Sequence, residues 1–239
     1  MTPVKRRALL SALLVATAWS GMPVVRSSAS PGCPPGGSAP PADAARRQVG
    51  DLSSDGGPDT LWVGRFRDPP GGEGRTDRVV GVTTASGANS DVQIMSASPI
   101  PLAALAVDAQ QDGQHQILVS DGRSAQLYAF TNCRIRTVLD NQGAPFVFDL
   151  ENLRDHGTGV GCSDLGPPSV GRHLVGLQAV NNAGLWTVHR TEVKVNGTLA
   201  TVGQSDIVTA TSPQDPAVTS AQTISCGDLT IGKDGVQQP

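Results

Sequence analysis

The residues best suited to chemistry are oxygen donors at alternate positions: Asp51, Ser53 and Asp55, followed by Gly56 and Asp59. Calcium takes six to eight oxygens at about 2.3–2.6 Å, and a short loop with donors at its first, third, fifth and ninth places supplies them. Gly56 lets such a loop reverse without a side-chain clash. The pattern returns as Asp108, Gln110, Asp112 and Gly113, but ends on Gln116 where the last acid would stand. Asp108 and Asp112 are therefore a reduced ligand set, with neutral amides replacing two acids. A third copy keeps only Asp164 and Gly171, with Pro167-Pro168 between them and His173 at the last ligand place. It is expected to bind nothing. Each Asp-Gly pair has a competing reading as a turn, the Asp accepting from its own backbone and the Gly supplying positive φ.

Other chemistry has thinner support. His115, His156, His173 and His189 are scattered, without the His-x-x-x-His spacing of a zinc site. Glu73, Glu151 and Glu192 are the only glutamates, so a glycosidase pair would have to come from Asp. No Gly-x-Ser-x-Gly elbow is present, and Asp155-His156 has no identifiable serine partner. Asn196-Gly-Thr198 fits a glycosylation triplet, but reads more simply as a tight hairpin turn.

The loops recur because a larger unit recurs. Asp51 to Asp108 is 57 residues, Asp108 to Asp164 is 56, and an echo at Cys226-Gly-Asp228 follows 64 residues after that. A fixed period of this size predicts stacked or radially arranged units. Short apolar–polar alternations follow each loop: Thr60 to Phe66, Arg78 to Thr84, Val92 to Ser96, Leu102 to Val107, Gln116 to Ser120 and Gln126 to Thr131. They continue through Arg134 to Leu139, Pro145 to Leu150, His173 to Val180, Leu185 to Val195, Leu199 to Val202 and Asp206 to Ala210. With 28 Gly, 18 Pro and 3% aromatics, no helix-length apolar spacing is sustained. The fold class is all-β: a β-propeller-like array of about three to four four-stranded units in a small or incomplete ring. The echo at 226–231 is expected to supply a strand that closes the array onto its first unit.

Asp51-x-Ser53-x-Asp55-Gly56-x-x-Asp59 resembles the Asp-x-Asp-x-Asp-Gly-x-x-Asp signature of FG-GAP and VCBS repeat proteins, such as the integrin alpha-chain propeller. The resemblance covers residues 48–231 and is most specific in the first loop. It implies a β-propeller with calcium loops at the blade edge and extracellular recognition, usually without catalysis.

Ahead of the repeats, Lys5-Arg6-Arg7, an apolar run from Ala8 to Val25 and small residues to Ala29 have the layout of a signal peptide, residues 1–29. Residues 30–46, rich in Pro, Gly and Ser, read as a flexible tether, and 47–239 as a single repeat domain. Without residues 1–29 the chain has 14 basic and 21 acidic residues, a net charge of −7, which disfavours nucleic acid. No membrane span is expected once the signal is removed. Four cysteines in an exported chain allow three pairings. Cys133–Cys162 is favoured, which leaves Cys33 and Cys226 joined or free. A lipid anchor on Cys33 is the alternative use of that thiol. The functional expectation is an exported, non-catalytic cell-surface or extracellular binding module for a protein or glycan ligand, with at most one or two calcium loops. The alternatives are a secreted propeller-fold hydrolase or lyase, and a cell-envelope structural protein.

Overall fold

The computed structural model describes residues 32–67 and 76–239. The stretch read as a signal peptide, residues 1–29, lies outside them. The chain forms β1 (Ala45–Gln48), β2 (Thr60–Arg67), β3 (Thr76–Thr83) and β4 (Asn89–Gln93), and then β5 (Ala103–Val107), β6 (Gln116–Ser120), β7 (Ser124–Thr131) and β8 (Arg134–Thr137). There follow β9 (Val147–Asp149), β10 (Asn152–Leu153), β11 (His156–Ser163), β12 (His173–Asn182), β13 (Leu185–Asn196) and β14 (Leu199–Ala210). The chain ends with α1 (Pro216–Ser220), β15 (Ser225–Cys226), β16 (Leu229–Thr230), α2 (Ile231–Asp234) and β17 (Val236–Gln237). The protein is mostly antiparallel sheet, and consecutive strands pair as neighbours. β1 to β4 form the first sheet, β5 to β8 the second with β9 beside β7, and β10 to β14 the third.

Apolar alternation orders these sheets face to face. Every residue of β5 and β6 is buried. Ala104, Ala106, Ile117 and Val119 pack with Leu61, Val63, Val80 and Val82 of the first sheet. Leu105, Val107 and Leu118 point the other way, into a cluster with Val160, Leu174 and Val193 of the third sheet. The second sheet therefore lies between the other two, which explains the unbroken apolar run Ile117-Leu118-Val119. The far face of the third sheet (Val175, Leu177, Ala179, Trp186, Val188) is covered by Val218 and Ala221, in and just after α1. Capping of outward faces is what stacked units need at their ends.

Several expectations are corrected. Residues 226–231 do not close the array onto the first sheet; β15 and β16, two residues each, pair only with one another. The last strand, β17, joins β5 of the second sheet rather than the first unit. Gln238 then secures the end: its amide donates to the Leu102 carbonyl, and its side chain to the Gly64 carbonyl of β2. The stretch read as a tether is fastened from residue 32 onward. Ser86 Oγ donates to the Cys33 carbonyl at 2.8 Å, and Gly36 exchanges backbone bonds with Gly87 and Asn89.

The disulfides are Cys33–Cys133 and Cys162–Cys226, not Cys133–Cys162. Cys226 lies in the short β15 rather than in one of the three large sheets. Ile224 lies parallel to Val160, which brings the returning chain alongside β11. Cys33 is buried with its sulfur bonded to Cys133, which contradicts a lipid on that thiol. Glycines allow the return across β11: a Cβ on Gly159 would lie 2.4 Å from the Thr223 carbonyl oxygen.

Candidate metal centre

The β1–β2 connection is a loop closed by its own carboxylates. Asp51 Oδ1 accepts from the Asp55 amide at 3.1 Å, and Asp51 Oδ2 from the Gly56 amide at 2.7 Å. Asp55 Oδ1 accepts from the Gly57 amide at 3.0 Å. Asp59 is fully buried and receives the amides of Leu52, Ser53 and Ala85, each at 2.8 Å. Ser54 (φ 59°) and Gly56 (φ 89°) make the reversal. Burial pushes the Asp59 carboxyl up, although these three amides pull against it. The Gly57 amide holds Asp55 below the ordinary carboxylate range.

Asp51, Asp55 and Asp59 each offer an oxygen within 4.8 Å of the others, and among the described residues no other group of three His, Cys, Asp or Glu does so. Oxygens on opposite sides of one calcium stand about 4.6–5.2 Å apart, so the spacing fits. Ser53 is held among them, its hydroxyl 3.4 Å from Asp51 Oδ1 and 3.3 Å from Asp59 Oδ1. Asp55 Oδ2 is buried without a hydrogen-bond partner. Asp51 Oδ2 and Asp55 Oδ1 each accept one hydrogen bond and keep a lone pair that a cation can use, whereas Asp51 Oδ1 and both Asp59 oxygens accept two.

The β5–β6 loop repeats this design residue for residue. Asp108 accepts from the amides of Asp112 and Gly113 at 3.1 and 3.0 Å, and Asp112 from that of Gln114 at 2.9 Å. Gln111 (φ 57°) and Gly113 (φ 83°) stand where Ser54 and Gly56 do. Gln116 takes the place of Asp59: it is buried, and its Oε1 accepts from the Ala109 amide as Asp59 does from Leu52. Its Nε2 donates to the Gln114 carbonyl at 2.8 Å, which satisfies the loop without a charge.

The stretch read as a third copy departs from this design. Among the described residues Asp164 accepts only from the Gly166 amide, and a cis Pro167-Pro168 bond follows. Arg172 reaches out of the β11–β12 loop and donates to the Asp108 and Ala109 carbonyls at 2.6 and 3.0 Å. His173, at the last ligand place, instead faces the buried Glu192 at 3.4 Å. Ser169 and the Gln204 amide donate to Glu192 Oε2, with Lys194 3.6 Å away. Sequence reasoning missed this cluster. Glu192 sits at a β-bulge between Thr191 and Val193, which no alternation pattern announces.

A cavity of about 400 Å³ opens beside the first two loops. His115 lies across from Gly50, where a Cβ would come within 3.1 Å of its Nε2. No family model, curated protein or solved structure matches this chain.

Proposed function

We propose that the chain is an exported, non-catalytic β-propeller-like repeat protein of FG-GAP/VCBS type that acts as an extracellular binding module. Its three sheets are three blades of an incomplete ring, and its first loop holds one calcium ion. The observation that carries this reading is the convergence of Asp51, Asp55 and Asp59 within 4.8 Å, on a loop whose sister has the same backbone but a buried amide at the ninth place. Asp51, Asp55, Asp59 and the Ser53 hydroxyl would hold the ion, which supplies a rigid crosslink rather than a reaction step. Two disulfides support an oxidising compartment such as the cell exterior. Among the described residues no helix is long and apolar enough to cross a membrane.

Thermal melts in millimolar calcium and in chelator test the proposal. At a hundredfold excess over its dissociation constant, a bound ion adds about 2.7 kcal/mol. For a chain of this size that raises the melting temperature by roughly 5–10 °C. Asp55→Ala should abolish the rise. Coincident melts in both conditions, with Asp55→Ala behaving as the parent, would reduce the loop to a turn.

A further inference from the structure

Turns from all three large sheets converge on the 400 Å³ cavity. Ser54 comes from the first loop, Gln114 and His115 from the second, and Phe130, Thr131 and Asn132 from the end of β7 and its turn into β8. The β13–β14 turn of the third sheet completes the lining. We infer that this cavity binds a neutral saccharide. The inference rests on the binding-module reading above and names the ligand class for it.

The chemistry of the lining narrows the choice. No Asp, Glu, Lys or Arg lines the cavity among the described residues. The hydroxyls of Ser54 and Thr131 and the amide of Asn132 have no hydrogen-bond partner among the described residues. A purely apolar ligand would leave them stranded, at a cost of about 1–3 kcal/mol each. An anion would approach the adjoining carboxylates of Asp51, Asp55 and Asp59, which repel it. A cation is better served by those carboxylates than by the cavity. What remains is an uncharged, hydroxyl-rich molecule, which fits a lining of hydroxyl and amide groups beside the partly buried Phe130. The volume falls within the roughly 300–1,000 Å³ of small-ligand sites.

The backbone supports a built site. Five non-glycine residues among those described have left-handed φ, and three of them line this cavity: Ser54, Asn132 and Cys133. Such conformations persist where surroundings hold them, and they concentrate at ligand clamps. A second depression of about 530 Å³ shares the Asn132–Cys133 turn, so a chain of sugars is a better probe than a monosaccharide.

The experiment is an amide NMR titration of the full chain with maltotriose, chitotriose and mannotriose, each to about 10 mM, a range that captures weak binding. At least one should shift the amides of Ser54, His115 and Asn132. A double variant, Thr131→Ala with Asn132→Gly, should bind it at least about tenfold more weakly while keeping a dispersed spectrum, because two hydrogen bonds are lost and the glycine retains the turn. A trigalacturonate control should shift nothing. The inference is overturned if no neutral trisaccharide moves the cavity amides, if trigalacturonate binds more tightly, or if the double variant binds like the parent. Running the titration in calcium and in chelator separates the two ideas. A calcium-dependent melt without saccharide shifts sinks only this inference; saccharide shifts without any calcium response sink only the metal loop.

Discussion

The β1–β2 and β5–β6 loops have one backbone and two chemistries. Both start with an Asp that gathers two amides, turn through a left-handed residue and a glycine, and end on a buried side chain that accepts from the residue after the first Asp. The turn therefore does not depend on a metal, since the second loop builds it with only two acids. The ninth residue makes the difference. Asp59 adds a third charge that can only accept, from the amides of Leu52, Ser53 and Ala85, whereas Gln116 brings a donor and points it at the Gln114 carbonyl. A buried carboxylate beside two others, as Asp59 is, is electrostatically costly without a cation, while an amide at the same place is content alone.

The loops are also held differently. Cys33, through its disulfide to Cys133 and its bond from Ser86, secures the segment that packs on the first loop, where Gly32 approaches Asp55. Arg172 secures the second. The largest expected effect follows. Replacing both Cys33 and Cys133 with Ser opens a crosslink spanning 100 residues and should lower unfolding free energy by about 4–5 kcal/mol. Hydrogen exchange should accelerate at 51–59 more than at 108–116; equal acceleration would contradict separate anchoring.

Gln116→Asp comes next, converting the second loop toward the first. In chelator the variant should lose about 1–3 kcal/mol, because a buried carboxylate replaces a satisfied amide. Calcium should restore much of that loss in denaturant titrations. A variant as stable in chelator as the parent would show that the ninth position does not discriminate.

The smallest effect concerns a carboxylate used for a turn alone. Asp121, between β6 and β7, is pushed up by burial. Hydrogen bonds from Ser96, Ser124 and the Arg123 amide outweigh that and leave it below the ordinary value. A depressed acid stabilises fully above its unfolded value of about 3.9, and the contribution fades as pH falls through the folded value. Asp121→Asn should therefore cost about 1 kcal/mol at neutral pH and flatten the acid side of the stability profile, with no change in calcium response. An unchanged acid limb would rule this out.

Strands whose apolar runs are bounded by clear turn residues were readable from sequence. Gln116–Ser120 and the hairpin around Asn196-Gly197 stand where the residues place them. Two runs, Leu199 to Val202 and Asp206 to Ala210, prove to be one strand, because Gly203 opposite the Glu192 bulge hides its continuity. β11 was invisible: Gly157, Gly159 and Gly161 carry no strand signal; the first two allow close approach by residues 220–224, and Gly161 makes room for the Leu177 side chain. The loop carboxylates were legible because their partners are local. The disulfides, the cavity and the Glu192 cluster were not, because they join residues whose proximity depends on how the sheets stack.

Calcium stoichiometry tests the central claim most directly. Isothermal titration of the chelator-stripped chain should give one calcium per molecule, none after Asp59→Asn, and two after Gln116→Asp. Zero or two ions on the unmodified chain would contradict the assignment of the two loops.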